Sequence, residues 1–273
     1  NTVFKINSIK QKNITTFVNM NLLKTPFLLV WRLWFYVLIL ITVLLMSPFL
    51  FVLTIKESYY PTFWKLIRGW AHVLVYGMGF RIDKQLDEIL DRDKSYMFCP
   101  NHASLMDPFV LIVLSKNPIV FVGKKELVKI PIFGFFYKRA VIMVDRSSPE
   151  SRKRVFAMAK KRLQGGTSIG IFPEGLVPTE DVILAPFKNG AFSLAIQHQI
   201  PIVPQTYYDC KRLFSWDFLK GGTGTFRIRQ HRFIDTKGLK FEDAEKLKEK
   251  IFQIIHNELS SDSLYMKDTN RAK

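Results

Sequence analysis

The stretch SYMFCPNHASLMDPFVLIVL, residues 95–114, decides how the rest of the chain is read. Ser95 to Cys99 is a short, mostly apolar run of strand length, and Pro100 ends it. Asp107 to Leu114 is apolar and carries Pro108, a residue suited to the first turn of a helix. Strand, polar loop and helix in that order are the building unit of an α/β protein. The loop carries Asn101, His102, Ser104 and Asp107, with four residues between the histidine and the aspartate. A loop folding into a helix can bring that carboxylate to one imidazole nitrogen. The carboxylate then sets the tautomer and stabilises the imidazolium, and the other nitrogen faces a substrate hydroxyl as general base. The competing reading is a surface histidine beside a helix-capping aspartate.

The alternation continues downstream. Strands are predicted over Ile119 to Val122, Ala140 to Val144, Ser168 to Phe172, Ile202 to Tyr207 and Thr225 to Phe233. Helices are predicted over Phe133 to Tyr137, Asn189 to Gln197 and Phe241 to Leu259, and another begins at Ser148-Pro149-Glu150 and stops at Gly165-Gly166. The fold class expected is α/β: a central mixed sheet flanked by helices, preceded by an N-terminal hydrophobic, membrane-embedded helical segment. Arg81 to Lys94 reads as a surface connector. The expected division is 1–80 as a membrane-associating helical region, 81–260 as the α/β domain and 261–273 as a polar, frayed tail.

Upstream, Phe27 to Ile55 is the most apolar part of the chain, and Leu33 to Ile55 holds 23 residues without a charge. As a helix that stretch is about 35 Å long, enough to cross a bilayer core. Pro48 leaves two forms open: one kinked helix, or two shorter ones that enter a single leaflet and turn back. Tyr59 to Phe80, rich in Tyr and Trp, reads as a helix at the membrane interface or in the core.

A second candidate cluster is Ile171-Phe172-Pro173-Glu174-Gly175, again directly after a strand. A lone acid in an apolar segment is costly to bury without a partner, so Glu174 reads as a site residue or as the capping acid of a turn. A basic set, Lys124, Lys125, Lys138, Arg139, Arg146 and Lys188, offers charges for phosphate recognition, or an ordinary solvated surface.

Composition sets the outer limits. The 273 residues include 40 Lys and Arg against 23 Asp and Glu, a net charge of +17, and are 48% hydrophobic and 23% charged. That excludes pervasive disorder and favours a polyanionic partner: nucleic acid, an anionic lipid surface or a phosphorylated substrate. No nucleic-acid-binding module is recognisable, and the apolar segment beside the charge favours lipid. Two cysteines, Cys99 and Cys210, make no disulfide framework and suit a reducing compartment. The five histidines have no zinc-ligand spacing, and there is no P-loop, GxGxxG or GxSxG motif. No metal and no cofactor are expected.

Taken together, these fragments resemble the glycerolipid acyltransferase family, in particular the bacterial 1-acyl-glycerol-3-phosphate acyltransferases, over roughly Tyr96 to Pro204. Four blocks occur in order: Asn101-His102 through Asp107; Phe133 through Arg146; Phe172-Pro173-Glu174-Gly175; and Ile200-Pro201-Ile202-Val203-Pro204. The resemblance implies that His102 is the catalytic base and Asp107 its partner. It implies an acceptor and phosphate site at Glu174, Gly175, Lys138, Arg146 and Lys188. Asn101, Pro173, Pro201 and Pro204 then shape the site. The implied partners are lysophosphatidic acid, an acyl thioester of CoA or acyl-carrier protein, and anionic membrane lipids, at a bacterial inner membrane with the domain on the cytoplasmic face. One departure stands out. The third block usually continues Thr-Arg-Ser, and here it reads Leu176-Val177-Pro178. Arg146, Lys138 or Lys188 is expected to supply the missing charge. A differently headed lysolipid, such as an amino-acid or sulfonate lipid precursor, stays open as the acceptor, as does a non-catalytic lipid-binding role.

Overall fold

The computed structural model describes residues 2–130, 132–144 and 149–270, with side-chain surroundings for most of them from Lys24 onward. Among the described residues seven strands form one sheet: β1 (Phe80–Leu86), β2 (Met97–Pro100), β3 (Ile119–Lys124), β4 (Val141–Val144), β5 (Ser168–Gly170), β6 (Ile202–Tyr207) and β7 (Gly224–Gln230). Their order is β1-β7-β6-β2-β5-β3-β4. Neighbours are parallel, except that β6 and β7 run antiparallel. The sheet is therefore mixed, and β5, β2 and β6 lie side by side with their carboxyl ends at one edge.

The helices are α1 (Thr2–Thr54), α2 (Tyr60–Gly77), α3 (Asp107–Leu114), α4 (Phe133–Ala140), α5 (Pro149–Gln164), α6 (Gly190–His198), α7 (Cys210–Leu213), α8 (Ala244–Ser261) and α9 (Ser263–Asn270). Side chains alternate across the strands, so each short run feeds two cores. Met97 and Cys99 of β2 join α5, α6 and α8, whereas Phe98 joins α1, α2 and α3. Ile202 and Val203 of β6 divide the same way. Phe63, Trp64 and Trp70 of α2 are buried in the second of these clusters, each contributing roughly 2 kcal/mol. The residues set apart as 1–80 thus share a core with the sheet.

Pro48 sits within one continuous α1. A proline there cannot donate to the carbonyl four residues back, Leu44; the Ser47 hydroxyl donates to it instead, at 2.8 Å. Two other elements differ from the sequence expectation. Part of the 81–94 connector is strand β1, paired along its whole length with β7. It is an edge strand exposed over most of its length, so it lacks the apolar signature of a buried strand. Part of the 261–273 tail is helix α9, where Tyr265 is buried and its hydroxyl donates to Ile183 O at 2.7 Å.

Candidate active site

The loop after β2 is locked in place before any chemistry is asked of it. Asn101 is buried, and its amide exchanges two hydrogen bonds with the backbone of Tyr207 at the end of β6: Nδ2 donates to Tyr207 O at 3.1 Å, and Tyr207 N–H donates to Oδ1 at 2.7 Å. The next residue, His102, is thereby placed beyond the carboxyl edge of the central strands, where open α/β sheets form their sites.

Asp107 is fully buried at the first turn of α3. Its Oδ2 accepts from His102 Nδ1 at 2.8 Å, from Ala103 N–H at 2.6 Å and from Ser104 N–H at 2.7 Å. Because the carboxylate only accepts, Nδ1 carries the proton and Nε2 is the basic nitrogen of the neutral ring. The ring is 21% exposed, and Nε2 has no hydrogen bond among the described residues. Phe172 stacks on the imidazole with centroids 4.3 Å apart, which fixes its plane. The fully buried Cys210 thiol lies beside the same carboxylate; burial and then the Asp107 charge push its pKa far up.

Glu174 is only 1% exposed, yet both of its oxygens are used. Oε1 accepts from His102 N–H at 2.6 Å, and Oε2 accepts from Ala185 N–H at 2.9 Å. The acid therefore pins the histidine backbone to the 183–187 segment. Burial pushes its carboxyl up to about 8, against the pull of the two amides. Gly175 follows at φ +73°, a left-handed turn that glycine adopts without strain.

The three prolines use their carbonyls in joints around the site. Pro173 accepts from Lys188 N–H at 2.9 Å, Pro201 from Met97 N–H at 2.9 Å and Pro204 from His231 N–H at 3.0 Å. The structure brings Asn101, His102, Asp107, Pro173 and Glu174 into one constellation. Lys138 is exposed on α4 and Lys188 is exposed just before α6; among the described residues Lys188 meets the constellation through its backbone N–H to Pro173 O, and neither ammonium hydrogen-bonds to it. Arg146 lies outside the described residues. Arg139 of the basic set is held elsewhere: Glu57 pairs with both Arg139 and Arg162, at 2.5 and 2.6 Å.

Phe172 and Ser104 stand inside the quoted motif blocks without a role assigned to them, and Lys211 is absent from those blocks. Phe172 and Ser104 carry no charge to draw attention. Lys211 follows β6, at the same sheet edge as His102. It donates to Val182 O at 2.7 Å, and burial draws its ammonium down to about 8 while Glu180 and Glu174 oppose the shift. Its signal was positional: residues just after a central parallel strand fall at the site. Lys211, Glu180 and Ser215 line a cavity of about 270 Å³. Among the described residues, no three His, Cys, Asp or Glu side chains gather to hold a metal ion.

Residues 81–208 match the family model described as Acyltransferase, a span that contains this whole constellation. A 1-acyl-sn-glycerol-3-phosphate acyltransferase of Borreliella burgdorferi is 27% identical over 195 residues, covering 71% of this chain and 76% of that protein. One of Limnanthes douglasii is 34% identical over 169 residues, covering 60% of this chain and 54% of that protein. By residues 81–208 the chain carries a domain of the glycerolipid acyltransferase family. This acyltransferase also shares its fold with the crystal structure of the 1-acyl-sn-glycerophosphate (LPA) acyltransferase PlsC from Thermotoga maritima. The TM-score is 0.72 at 19% identity, over 89% of this chain and 98% of that one. The acyltransferase is an enzyme of O-acyl transfer, and α1 associates it with a membrane: Lys24–Thr54 is long and apolar enough to cross one by length and composition.

Proposed function

We propose that this acyltransferase moves an acyl chain from an acyl thioester, of CoA or acyl-carrier protein, to the free hydroxyl of 1-acyl-glycerol-3-phosphate, giving phosphatidic acid. The observation that carries the reading is His102, with Nδ1 bound to Asp107 and Nε2 unpartnered among the described residues. The relatives' names supply the acceptor class. The acceptor hydroxyl donates to Nε2. As its oxygen attacks the thioester carbonyl, the proton passes to His102, and Asp107 balances the imidazolium. The C–S bond then breaks, and the proton on Nε2 passes to the departing sulfur. A positioned general base is worth about 10²–10⁴ in rate. Glu174 acts by holding the His102 backbone. Lys138, Lys188 and Arg146 are assigned to the acceptor phosphate, with Gly175 giving the turn beside it. Val177, in place of the familial arginine, favours testing other lysolipid headgroups alongside.

Trp31 Nε1 donates to Met78 O at 3.0 Å near one end of the apolar stretch, and Glu57 just past the other end holds Arg139 and Arg162. Between them Phe35 packs on Phe109 of α3, and Phe51 stacks on Phe135 of α4. An apolar stretch tied to one domain near both of its ends, at Trp31 and Glu57, and between them cannot have those ends on opposite sides of a bilayer. Helix α1 therefore lies in one leaflet, with its exposed apolar face toward the chains and anionic headgroups beside the basic surface. The buried free thiols of Cys99 and Cys210 favour the cytoplasmic face of an inner membrane.

The test is an acceptor panel. Purified protein is given radiolabelled acyl-CoA or acyl-carrier protein with lysophosphatidic acid and differently headed lysolipids, and the products are separated by lipid chromatography. Phosphatidic acid is the expected product, lost in His102→Ala. Folded protein that acylates none of the acceptors, or a His102→Ala variant with full turnover, ends the reading.

A further inference from the structure

The loop between α7 and β7 exposes three large apolar side chains almost in a row: Trp216 at 51%, Phe218 at 47% and Leu219 at 56%. Single exposed hydrophobes are ordinary; a cluster of this kind marks a contact surface. What covers it is indicated by its neighbour. Leu29, Leu33, Tyr36, Leu40 and Leu44 of α1 are all exposed and follow one another at intervals of three and four residues, so they form one stripe. Tyr36 stacks on Phe218, with centroids 6.4 Å apart and planes at 9°, which makes the loop a lateral continuation of that stripe.

The junction is built rather than incidental. Arg32, one turn before Tyr36, is only 3% exposed. Its guanidinium donates to Lys220 O at 2.6 Å and Asp217 O at 3.2 Å, and lies 4.1 Å from the centre of the Phe214 ring. The loop's own charges are answered locally: Asp217 accepts from Leu219 N–H at 3.0 Å, and Lys220 pairs with Glu180 at 2.6 Å. Such a loop suits the depth of the headgroups and upper chains, where Trp and Tyr are enriched. Beside it, a groove of about 490 Å³ runs between Lys24 and Phe27 of α1 and the Gly221-Gly222 turn.

The loop is also wired to the chemistry. At its base, Phe214 O accepts from Ser104 Oγ at 2.7 Å, and Ser104 N–H donates to the Asp107 oxygen that holds His102.

We infer that the 215–220 loop is a second membrane-inserted element, which enters the same leaflet as α1 and sets the depth of His102 relative to the lipid surface. The inference rests on the membrane reading of α1 given above. Cys99 and Cys210 are buried, so a cysteine placed at an exposed site can be labelled alone. Leu219→Cys and, on α1, Leu45→Cys are each labelled with a fluorophore and mixed with phosphatidylglycerol–phosphatidylethanolamine vesicles carrying a nitroxide high on the acyl chain. Quenching at both positions is expected. In addition, Trp216→Ser/Phe218→Ser/Leu219→Ser should weaken vesicle partitioning on the order of tenfold. Quenching at position 45 without quenching at 219, including the case in which a second copy of the chain covers the loop, overturns the inference and leaves the α1 reading standing. Quenching at neither removes both.

Discussion

Asp107 accepts three hydrogen bonds on one oxygen, and two of them come from backbone amides of the loop that carries the histidine. One atom therefore shapes the loop and sets the tautomer. Asp107→Asn removes the preference for a proton on Nδ1, and acyl transfer should fall by about 10²–10⁴ while circular dichroism keeps the native spectrum. Glu174 makes a different prediction. Its folded carboxyl is raised from 4.5 to about 8 by burial. Across that window the folded protein holds a proton that the unfolded chain has released. The associated stability is therefore full below the lower value, declines as pH rises and is gone above the upper one. Denaturant midpoints at about pH 5 and about pH 8.5 should differ more in the natural protein than in Glu174→Gln. The variant should itself be about 1–3 kcal/mol less stable, because an amide NH₂ must then face a backbone N–H.

At the scale of elements, the start of α4 packs directly against the backbone before it. Gly134, the second residue of α4, donates its N–H to Ile130 O at 2.8 Å, and a Cβ built there would stand 1.9 Å from Val128 O. No side-chain rotation relieves a clash with backbone. Gly134→Ala should force α4 away from the preceding Lys125–Lys129 turn. A loss of about 1–3 kcal/mol is expected, read as a lowered Tm by calorimetry in detergent. Because α4 also carries Lys138 and touches α1 through Phe135, the same variant should raise KM for the lysolipid more than it lowers kcat.

At the scale of the whole molecule, the decisive feature is that α1 is both the apolar anchor and a wall of the folded domain. Lys24→Cys and Ser58→Cys flank the apolar stretch. Both should react with a membrane-impermeant maleimide added to the domain's side of sealed vesicles, and neither when it is added to the opposite side. A crossing helix would expose one end to each side. The +17 charge acts at this scale too, drawing the domain toward anionic headgroups, so vesicle binding should weaken as salt is raised.

Much of this was legible in the order of residues. Strand-loop-helix from Ser95 to Leu114, the acid after β5 and the long apolar run are local patterns, set by short-range sterics and by side-chain periodicity. Local pattern was enough for the α/β class and for the apolar character of α1, and it offered the pairing of His102 with Asp107 as one of two readings. Tertiary structure alone decided the rest, because those features depend on groups far apart in the chain. Edge strand β1 exists through its register with β7, about 140 residues on. Glu174 spends its two oxygens on the amides of residues 102 and 185 because β2 and β5 happen to be neighbours. Whether a 53-residue helix crosses a bilayer or lies along it cannot be read from its own composition, since hydrophobicity fixes the medium but not the direction. The contacts of Trp31 and Glu57, near the two ends of the apolar stretch, are what the one-leaflet proposal rests on.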